Sequence, residues 1–251
     1  DVSCACRRCR HEQRPLGEGE LTMDETRHQY IPALRFGWLT RLYDPVIRWT
    51  MREDLFKPRL VEQVGMQPGH RVLDLGCGTA TLTILLKQHQ PQSTIVGLDG
   101  DPVVLARARE KAAEAGVDIS FDEGMAYQLP YPDRSFDRVV ASLLLHHLTL
   151  DNKRRALRET FRVLKPGGQL HIVDFGRPHT FLMACASLIV RWLEEAYEHV
   201  KGMVPGLIRE AGFTHVEETG RYTTGFGTLV LTRSVKPERG AGGIERRNGT
   251  S

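Results

Sequence analysis

The chain has 251 residues, of which 41% are hydrophobic and 26% are charged. This balance is typical of a globular protein that buries a substantial core. Its 34 basic and 31 acidic side chains give a net charge of only +3, which does not favour a nucleic-acid partner. No apolar run reaches the roughly 20 residues that span a bilayer.

Both ends of the sequence lack the apolar periodicity of a folded segment. Residues 1–22 are rich in Arg, Glu, Gly and Cys, and residues 236–251 are rich in Gly, Arg and Glu, so we expect disordered extensions. Cys4, Cys6 and Cys9 form a C-x-C-x-x-C pattern, but no fourth ligand has a matching spacing, and no metal site is predicted. The sequence shows no signal-peptide pattern, so we expect a cytoplasmic protein.

Residues 23–67 have a helical pattern, which Pro45 and Pro58 interrupt, and are expected to form an N-terminal helical cap. In residues 68–235, short apolar runs alternate with helix-length segments. The predicted strands are residues 71–75, 94–98, 117–121, 136–144, 169–175, 214–223 and 228–233. The predicted helices are residues 79–89, 102–116, 151–164, 180–201 and 205–211, and Pro166-Gly167-Gly168 is expected to stop the third of them.

This alternation predicts the fold class: an α/β, doubly wound, Rossmann-like sheet of seven strands that is mostly parallel. The last two predicted strands are too close together for a helical crossover, so they should pair antiparallel. The sheet is therefore expected to carry an antiparallel strand at its C-terminal end.

A glycine-rich turn follows the first predicted strand. Gly76 and Gly78 allow the backbone to approach a ligand closely, but a dinucleotide-binding turn would have a third glycine where Thr81 stands. Asp74, just before the turn, favours a cationic ligand. Asp99 ends the second predicted strand, about 20 residues after Gly76, where an acid can accept both hydroxyls of a ribose.

Four stretches resemble class I S-adenosylmethionine (SAM)-dependent methyltransferases, of the group that includes the ubiquinone/menaquinone C-methyltransferases. They are residues 72–79, 96–101, 124–137 and 163–168, and the resemblance covers residues 43–233. It implies SAM as the cofactor. The cofactor-binding residues that we predict are Asp74, Gly76, Cys77, Gly78, Asp99, Gly100, Asp101, Gly124, Met125, Ala126, Ser142 and Leu143.

The resemblance also implies individual roles. Asp74 would orient the amino group of SAM, and Asp99 would bind the ribose hydroxyls. Met125 and Ala126 would flank the adenine, although members of this group often carry an acid at the Met125 position, so that backbone groups or Glu123 must accept from the adenine here. Cys77 is expected to be a small packing residue rather than a nucleophile.

Ser142 and Leu143 would lie near the methyl donor by the same resemblance. Tyr43 and His147 are the candidate catalytic residues. Tyr43 resembles a tyrosine that helps N-terminal helices close over the cofactor. Adjacent helical residues diverge by about 100°, which disfavours a metal pair of His146 and His147 and leaves one of them to accept a proton or contact the substrate.

The inferred reaction is an in-line displacement in which the acceptor attacks the sulfonium methyl group. The run Ser142-Leu143-Leu144-Leu145 stands where base-nitrogen methyltransferases have Asn-Pro-Pro-Tyr, which favours a small or lipophilic acceptor of the quinone, phospholipid or natural-product type. The apolar run at residues 181–190 predicts core or pocket wall, with peripheral membrane contact as the alternative. A catalytically silent SAM-binding partner and a nicotinamide-dependent oxidoreductase are the competing functions.

Overall fold

A computed structural model describes residues 53–176, 203–224 and 227–238. The predictions for residues 1–52, which include Tyr43, and for the helix at residues 180–201 lie outside this part of the chain. The described helices are α1 (Glu53–Val64), α2 (Thr81–His89), α3 (Pro102–Glu114), α4 (Leu150–Val163) and α5 (Val204–Glu210). The described strands are β1 (Arg71–Leu75), β2 (Thr94–Asp99), β3 (Ser120–Glu123), β4 (Phe136–Ser142), β5 (Leu164–Phe175), β6 (Thr214–Thr224) and β7 (Gly227–Val235).

The strands form one seven-stranded sheet in the order β3-β2-β1-β4-β5-β7-β6. Strands β1 to β5 pair in parallel, whereas β7 runs antiparallel to both β5 and β6. The predicted fold class is therefore confirmed, including the antiparallel strand near the C-terminal end. The strand order reverses between β1 and β4, and ligands of such sheets bind at the carboxyl ends of the strands beside this point.

Both faces of the sheet are covered, because successive strand residues point to opposite sides. Leu73 and Val139 belong to the core on the α4 and α5 side. Their neighbours Val72 and Val140 pack on the other side, where Phe56 anchors α1. Burial on both faces explains why the central strands β1, β2 and β4 read as nearly continuous apolar runs, whereas the edge strand β6 is polar and mostly exposed. None of the helices in the described segments is long and apolar enough to cross a membrane.

Several boundaries differ from the sequence-based expectations for local reasons. Pro58 lies inside α1 rather than ending it. Helix α2 starts two residues late because Ala80 adopts a left-handed conformation with φ of 63°. Helix α4 ends at Val163, before Pro166-Gly167-Gly168 as predicted, but these three residues belong to β5 and not to a loop. The Gly167 N–H donates to the carbonyl of Lys236 at 2.9 Å, so β5 begins at Leu164 and its pairing continues beyond the end of β7.

The third strand is shorter than predicted. Val117 donates its N–H to the Ala112 carbonyl at 3.1 Å, which closes the end of α3. Val117 and Ile119 then pack against a small core formed by Ala80, Ala108 and other α2 and α3 residues. The apolar character of Val117 and Ile119 therefore reflects their packing against these helices and not a position in the sheet. The paired strand starts only at Ser120.

Candidate active site

The glycine turn after β1 is tied to the end of β2. The backbone N–H groups of Gly76 and Cys77 both donate to the Leu98 carbonyl, at 2.8 and 3.0 Å. Gly76 and Gly78 have φ values of 70° and 54°, a left-handed region that side chains rarely adopt. The turn is therefore held in a shape that these two glycines permit.

The two glycines have different surroundings. A Cβ at Gly76 would lie 2.7 Å from Cδ1 of Leu144, whereas no described atom comes within 4 Å of a Cβ at Gly78. Gly76 therefore makes room for the loop after β4. The open space beside Gly78 fits the predicted close approach of a ligand.

Asp99 joins the end of β2 to the glycine turn. Its Oδ2 accepts a hydrogen bond from the Gly78 N–H at 2.9 Å, and its Oδ1 accepts one from the Asp101 N–H at 3.0 Å. Burial raises the pKa of this carboxyl above its usual value, although the two backbone bonds oppose the shift. The structure thus brings together three predicted site residues around one carboxylate, a group that can accept from ribose hydroxyls.

Asp74 lies at the end of β1 and is only 1% exposed. Its Oδ2 accepts from the Thr83 hydroxyl at 2.6 Å. Burial raises the pKa of Asp74 to about 6, against the opposing effects of Thr83 and of the positive charge of Lys57. A buried carboxylate with few charged neighbours favours a cationic ligand group. Thr83 was not predicted, since one hydroxyl in an apolar helix gives no signal of its partner.

Cys77 behaves as the packing residue that its context predicted. Its thiol is buried and lies 3.7 Å from the Gly78 carbonyl oxygen. Burial raises the pKa of the thiol, as do the nearby carboxylates of Asp74 and Asp99. The sulfur therefore stays protonated and is a poor nucleophile at neutral pH.

The segment predicted to flank the adenine follows β3. The Gly124 N–H donates to the backbone carbonyl of Asp99 at 3.0 Å, and the Gln128 N–H closes a turn on the Met125 carbonyl at 3.0 Å. Ala126 is buried in the core beside α4. Glu123, one of the expected adenine partners, is exposed.

Two α4 residues hold the chain just beyond this segment, and neither was predicted. Glu159 accepts the Leu129 N–H at 2.8 Å. Arg162 donates to the carbonyl oxygens of Tyr131 and Leu129 at 2.7 and 3.0 Å, and pairs with Glu159 at 2.8 Å. The amphipathic pattern of α4 marks both residues only as part of a polar helix face.

A second set of contacts lies where β4 and β5 end. Leu143 has a positive φ of 55°, and its N–H donates to the Val173 carbonyl at 2.9 Å. Asp174, next along β5, accepts from the Leu145 N–H at 2.7 Å, from His146 Nδ1 at 2.8 Å and from the Phe175 N–H at 2.8 Å. This buried carboxylate, which the sequence analysis missed, fixes the loop after β4 to β5.

The two adjacent histidines are placed differently. His146 is 6% exposed, and its ring meets Phe175 edge-on at a centroid distance of 5.0 Å. His147 is exposed and its ring lies 3.9 Å from that of His146. The choice of His147 as a catalytic residue stays a prediction, as does that of Tyr43, which lies outside the described residues.

A cavity of about 320 Å³ opens beside Asp174. Its wall is mostly apolar, and Glu218 and Arg221 are its other charged residues. These two form an ion pair in which both side chains are at least one-third exposed. The lining residues are Ile172, Asp174, Phe175, Gly176, Val204, Pro205, Glu218, Arg221, Val230 and Thr232.

Comparison with known proteins agrees with this geometry. A family model described as a methyltransferase domain matches residues 72–168. An uncharacterized methyltransferase of Synechocystis is 34% identical over 187 residues, which cover 73% of this chain and 85% of that protein. A ubiquinone/menaquinone biosynthesis C-methyltransferase of Vibrio cholerae is 32% identical over 216 residues, which cover 72% of this chain and 77% of that one.

Among solved structures, the S-adenosylmethionine-dependent methyltransferase SibL in its apo form matches with a TM-score of 0.61 at 25% identity. The match covers 74% of this chain and 56% of SibL. The sheet, the glycine turn and its two acids, one buried and one half-buried, thus define a class I SAM-dependent methyltransferase, and SAM is its cofactor. Within that class, the chain belongs to the group of ubiquinone/menaquinone methyltransferase-like enzymes.

Proposed function

We propose that this enzyme transfers the methyl group of SAM to a small lipophilic acceptor of the hydroquinone class. The observation that carries the proposal is the mostly apolar cavity at the end of β5, beside the loop after β4. Flat apolar rings bind in such cavities, and a few polar groups orient them. The Vibrio cholerae relative, named for ubiquinone/menaquinone biosynthesis, supports this acceptor over a phospholipid or another natural product.

The residues of the glycine turn would hold the methyl donor. The Asp74 carboxylate suits the cationic amino group of SAM, and the Asp99 carboxylate, already oriented by Gly78 and Asp101, suits the two ribose hydroxyls. The open space beside Gly78 leaves room for the backbone of the turn to approach the cofactor. The backbone bonds that Asp99 accepts from Gly78 and Asp101 orient its carboxylate before the cofactor binds.

SAM, when bound, would supply an activated methyl group: the methyl–sulfur bond would break with both electrons staying on sulfur, and an electron-rich carbon of the acceptor ring would form the new bond and then lose its proton to solvent. The protein's main task is to align the two reactants and keep water out of the reaction line. Leu144 is suited to this task, because it packs on Gly76 while its neighbour Leu145 is bonded to Asp174.

The proposal is tested by turnover with a panel of acceptors. The full chain is incubated with SAM and, in separate reactions, a reduced naphthohydroquinone, a phospholipid vesicle and a nucleoside. S-adenosylhomocysteine and methylated products are read by mass spectrometry. We expect product with the hydroquinone alone. Methylation of the phospholipid or nucleoside in its place would contradict the acceptor class, and SAM binding without turnover of any acceptor would favour a silent SAM-binding protein.

A further inference from the structure

Asp174 is a buried carboxylate in the wall of an otherwise mostly apolar cavity. It is 3% exposed, and within the described part of the chain it accepts hydrogen bonds from the N–H groups of Leu145 and Phe175 and from the ring of His146. Removing an ionised carboxylate from water is costly unless donors compensate it. The fold supplies those donors and so keeps a negative acceptor group at this one place in the cavity.

We propose that Asp174 is the residue that recognises the acceptor, by accepting a hydrogen bond from one of its ring hydroxyl groups. This inference rests on the proposed function, since it assumes that the acceptor occupies the cavity. An ionised carboxylate can only accept hydrogen bonds. A hydroquinone hydroxyl can donate one, whereas a quinone carbonyl can only accept and would face the carboxylate with like partial charge. Asp174 therefore selects the reduced, nucleophilic form of the ring.

The other charged groups of the cavity do not provide this selection. Glu218 is ion-paired with Arg221 through two contacts, and both side chains are substantially exposed. Water screens such a pair and weakens its effect on a ligand. Asp174 lies in a low-dielectric setting, where a hydrogen bond to a charged group has its largest effect.

His146 is the positioning residue for this carboxylate. Its Nδ1 lies 2.8 Å from Asp174 Oδ1, and its ring is fixed between Phe175 and His147. Since an ionised carboxylate accepts, Nδ1 carries the proton in this contact. The same carboxylate holds the N–H of Leu145, next to the Leu144 side chain that packs on Gly76. The loop after β4 therefore contacts both Asp174 and the glycine turn.

The test compares the affinities of the reduced and oxidised forms of one ring. Equilibrium dialysis of the full chain with S-adenosylhomocysteine gives dissociation constants for naphthohydroquinone, under anaerobic reducing conditions, and for naphthoquinone. We expect the wild type to prefer the hydroquinone. In Asp174→Asn this preference should fall by about tenfold to a hundredfold, as expected for one hydrogen bond to a charged group. Glu217→Gln, which removes an exposed β6 carboxylate paired with Arg233, is the matched control and should keep the preference.

A purely structural role for Asp174 has a different outcome. In that case Asp174→Asn would lower Tm and weaken the binding of the hydroquinone and the quinone equally. An unchanged preference in an Asp174→Asn variant that folds and binds SAM would therefore overturn the proposal. If that variant does not fold, His146→Gln and His146→Phe replace it. A glutamine amide can still donate to Asp174 and a phenylalanine cannot, so Gln should keep more of the preference, and equal preferences would overturn the proposal. A wild type that binds SAM but neither ring form would instead refute the proposed acceptor class.

Discussion

The proposed methyl-donor side and the proposed acceptor side of this enzyme are built in different ways. On the donor side, Asp74, Gly76 and Gly78 lie within five consecutive residues, and Asp99 reaches them from the next strand. On the acceptor side, Asp174 contacts Leu145 and His146 in the loop after β4, 29 and 28 positions away along the chain, and residues of β6 and β7 also line the cavity.

This difference has a physical consequence. The donor side is a short turn whose shape is fixed by backbone hydrogen bonds and positive φ angles, so its chemistry is encoded locally. The acceptor side depends on tertiary packing, and its contacts exist only once the sheet has formed. Substitutions on the donor side should therefore change SAM affinity, and substitutions on the acceptor side should change the affinity for the methyl acceptor.

The largest effect is expected at Asp99. Asp99→Ala removes the proposed ribose acceptor and also the bond that holds the Gly78 N–H. We expect the loss of about 3 kcal/mol of SAM binding energy, roughly two hydrogen bonds to a charged group, or about a hundredfold in affinity. Isothermal titration calorimetry with SAM measures it. Unchanged SAM affinity would refute the ribose assignment, and Asp174→Asn is expected to leave that affinity nearly unaltered.

The boundary between the two sides is tested at Gly76. Gly76→Ala places a Cβ against Leu144 at a positive φ, and we expect a loss of about 1–3 kcal/mol in the free energy of unfolding. Gly78→Ala has the same backbone strain but open space, and should lose only about 1 kcal/mol. Urea denaturation measures both. When Gly76→Ala is combined with Leu144→Ala, the losses of unfolding free energy in the two single variants should not add. Strict additivity would disprove the contact between residue 76 and Leu144.

The donor side should also respond to pH through Asp74, whose pKa burial raises to about 6. Because the folded state binds this proton more tightly than the unfolded state does, stability attributable to Asp74 falls as pH rises from about 4 to about 6. SAM affinity should change in the opposite direction: it should increase as pH rises through about 6, because the Asp74 carboxylate that is proposed to face the cationic cofactor becomes charged. Calorimetric titrations across this range measure the change, and Asp74→Asn should abolish it. A pH dependence that survives in Asp74→Asn would assign it to another group.

The smallest effect lies at the end of α4, away from both sides. Lys236 donates to the carbonyl oxygens of Phe161 and Leu164 at 2.6 and 2.7 Å, groups that a helix end leaves without helical partners. Lys236→Met should reduce the free energy of unfolding by about 1 kcal/mol and leave SAM affinity intact. Lys165→Met, which removes a half-exposed pair with Asp137, should have less effect. Equal losses of unfolding free energy in the two variants would argue that Lys236 does not stabilise the carbonyl groups at the end of α4.

The sequence predicted the local structure around the glycine turn well because its signals are local. The first strand was predicted with the bounds that β1 has, and Asp101 caps α3 by accepting from Val103 and Val104 as its position before Pro102 indicated. The antiparallel pairing of β6 and β7 followed from the short link between them. Each of these features depends on residues that are neighbours in the chain.

The features that the sequence did not predict depend on distant partners. Asp174 reads as one polar residue in an apolar strand, and two of its donors, Leu145 and His146, come from the loop after β4, nearly thirty residues earlier in the chain. Glu159 and Arg162 look like solvated helix residues until the segment at Leu129 folds against them. Pro58 suggested an interruption, but the apolar face of α1 packs on the sheet strongly enough to keep the helix intact.

The central claim is that methyl transfer runs from SAM to a reduced hydroxylated ring. It is tested most directly by following a labelled methyl group from SAM, with naphthohydroquinone as the acceptor and naphthoquinone as its oxidised counterpart. We expect label on the ring of the hydroquinone, equal in amount to the S-adenosylhomocysteine formed, and none on the quinone. Equal labelling of both forms, or S-adenosylhomocysteine formed without label on the ring, would contradict it.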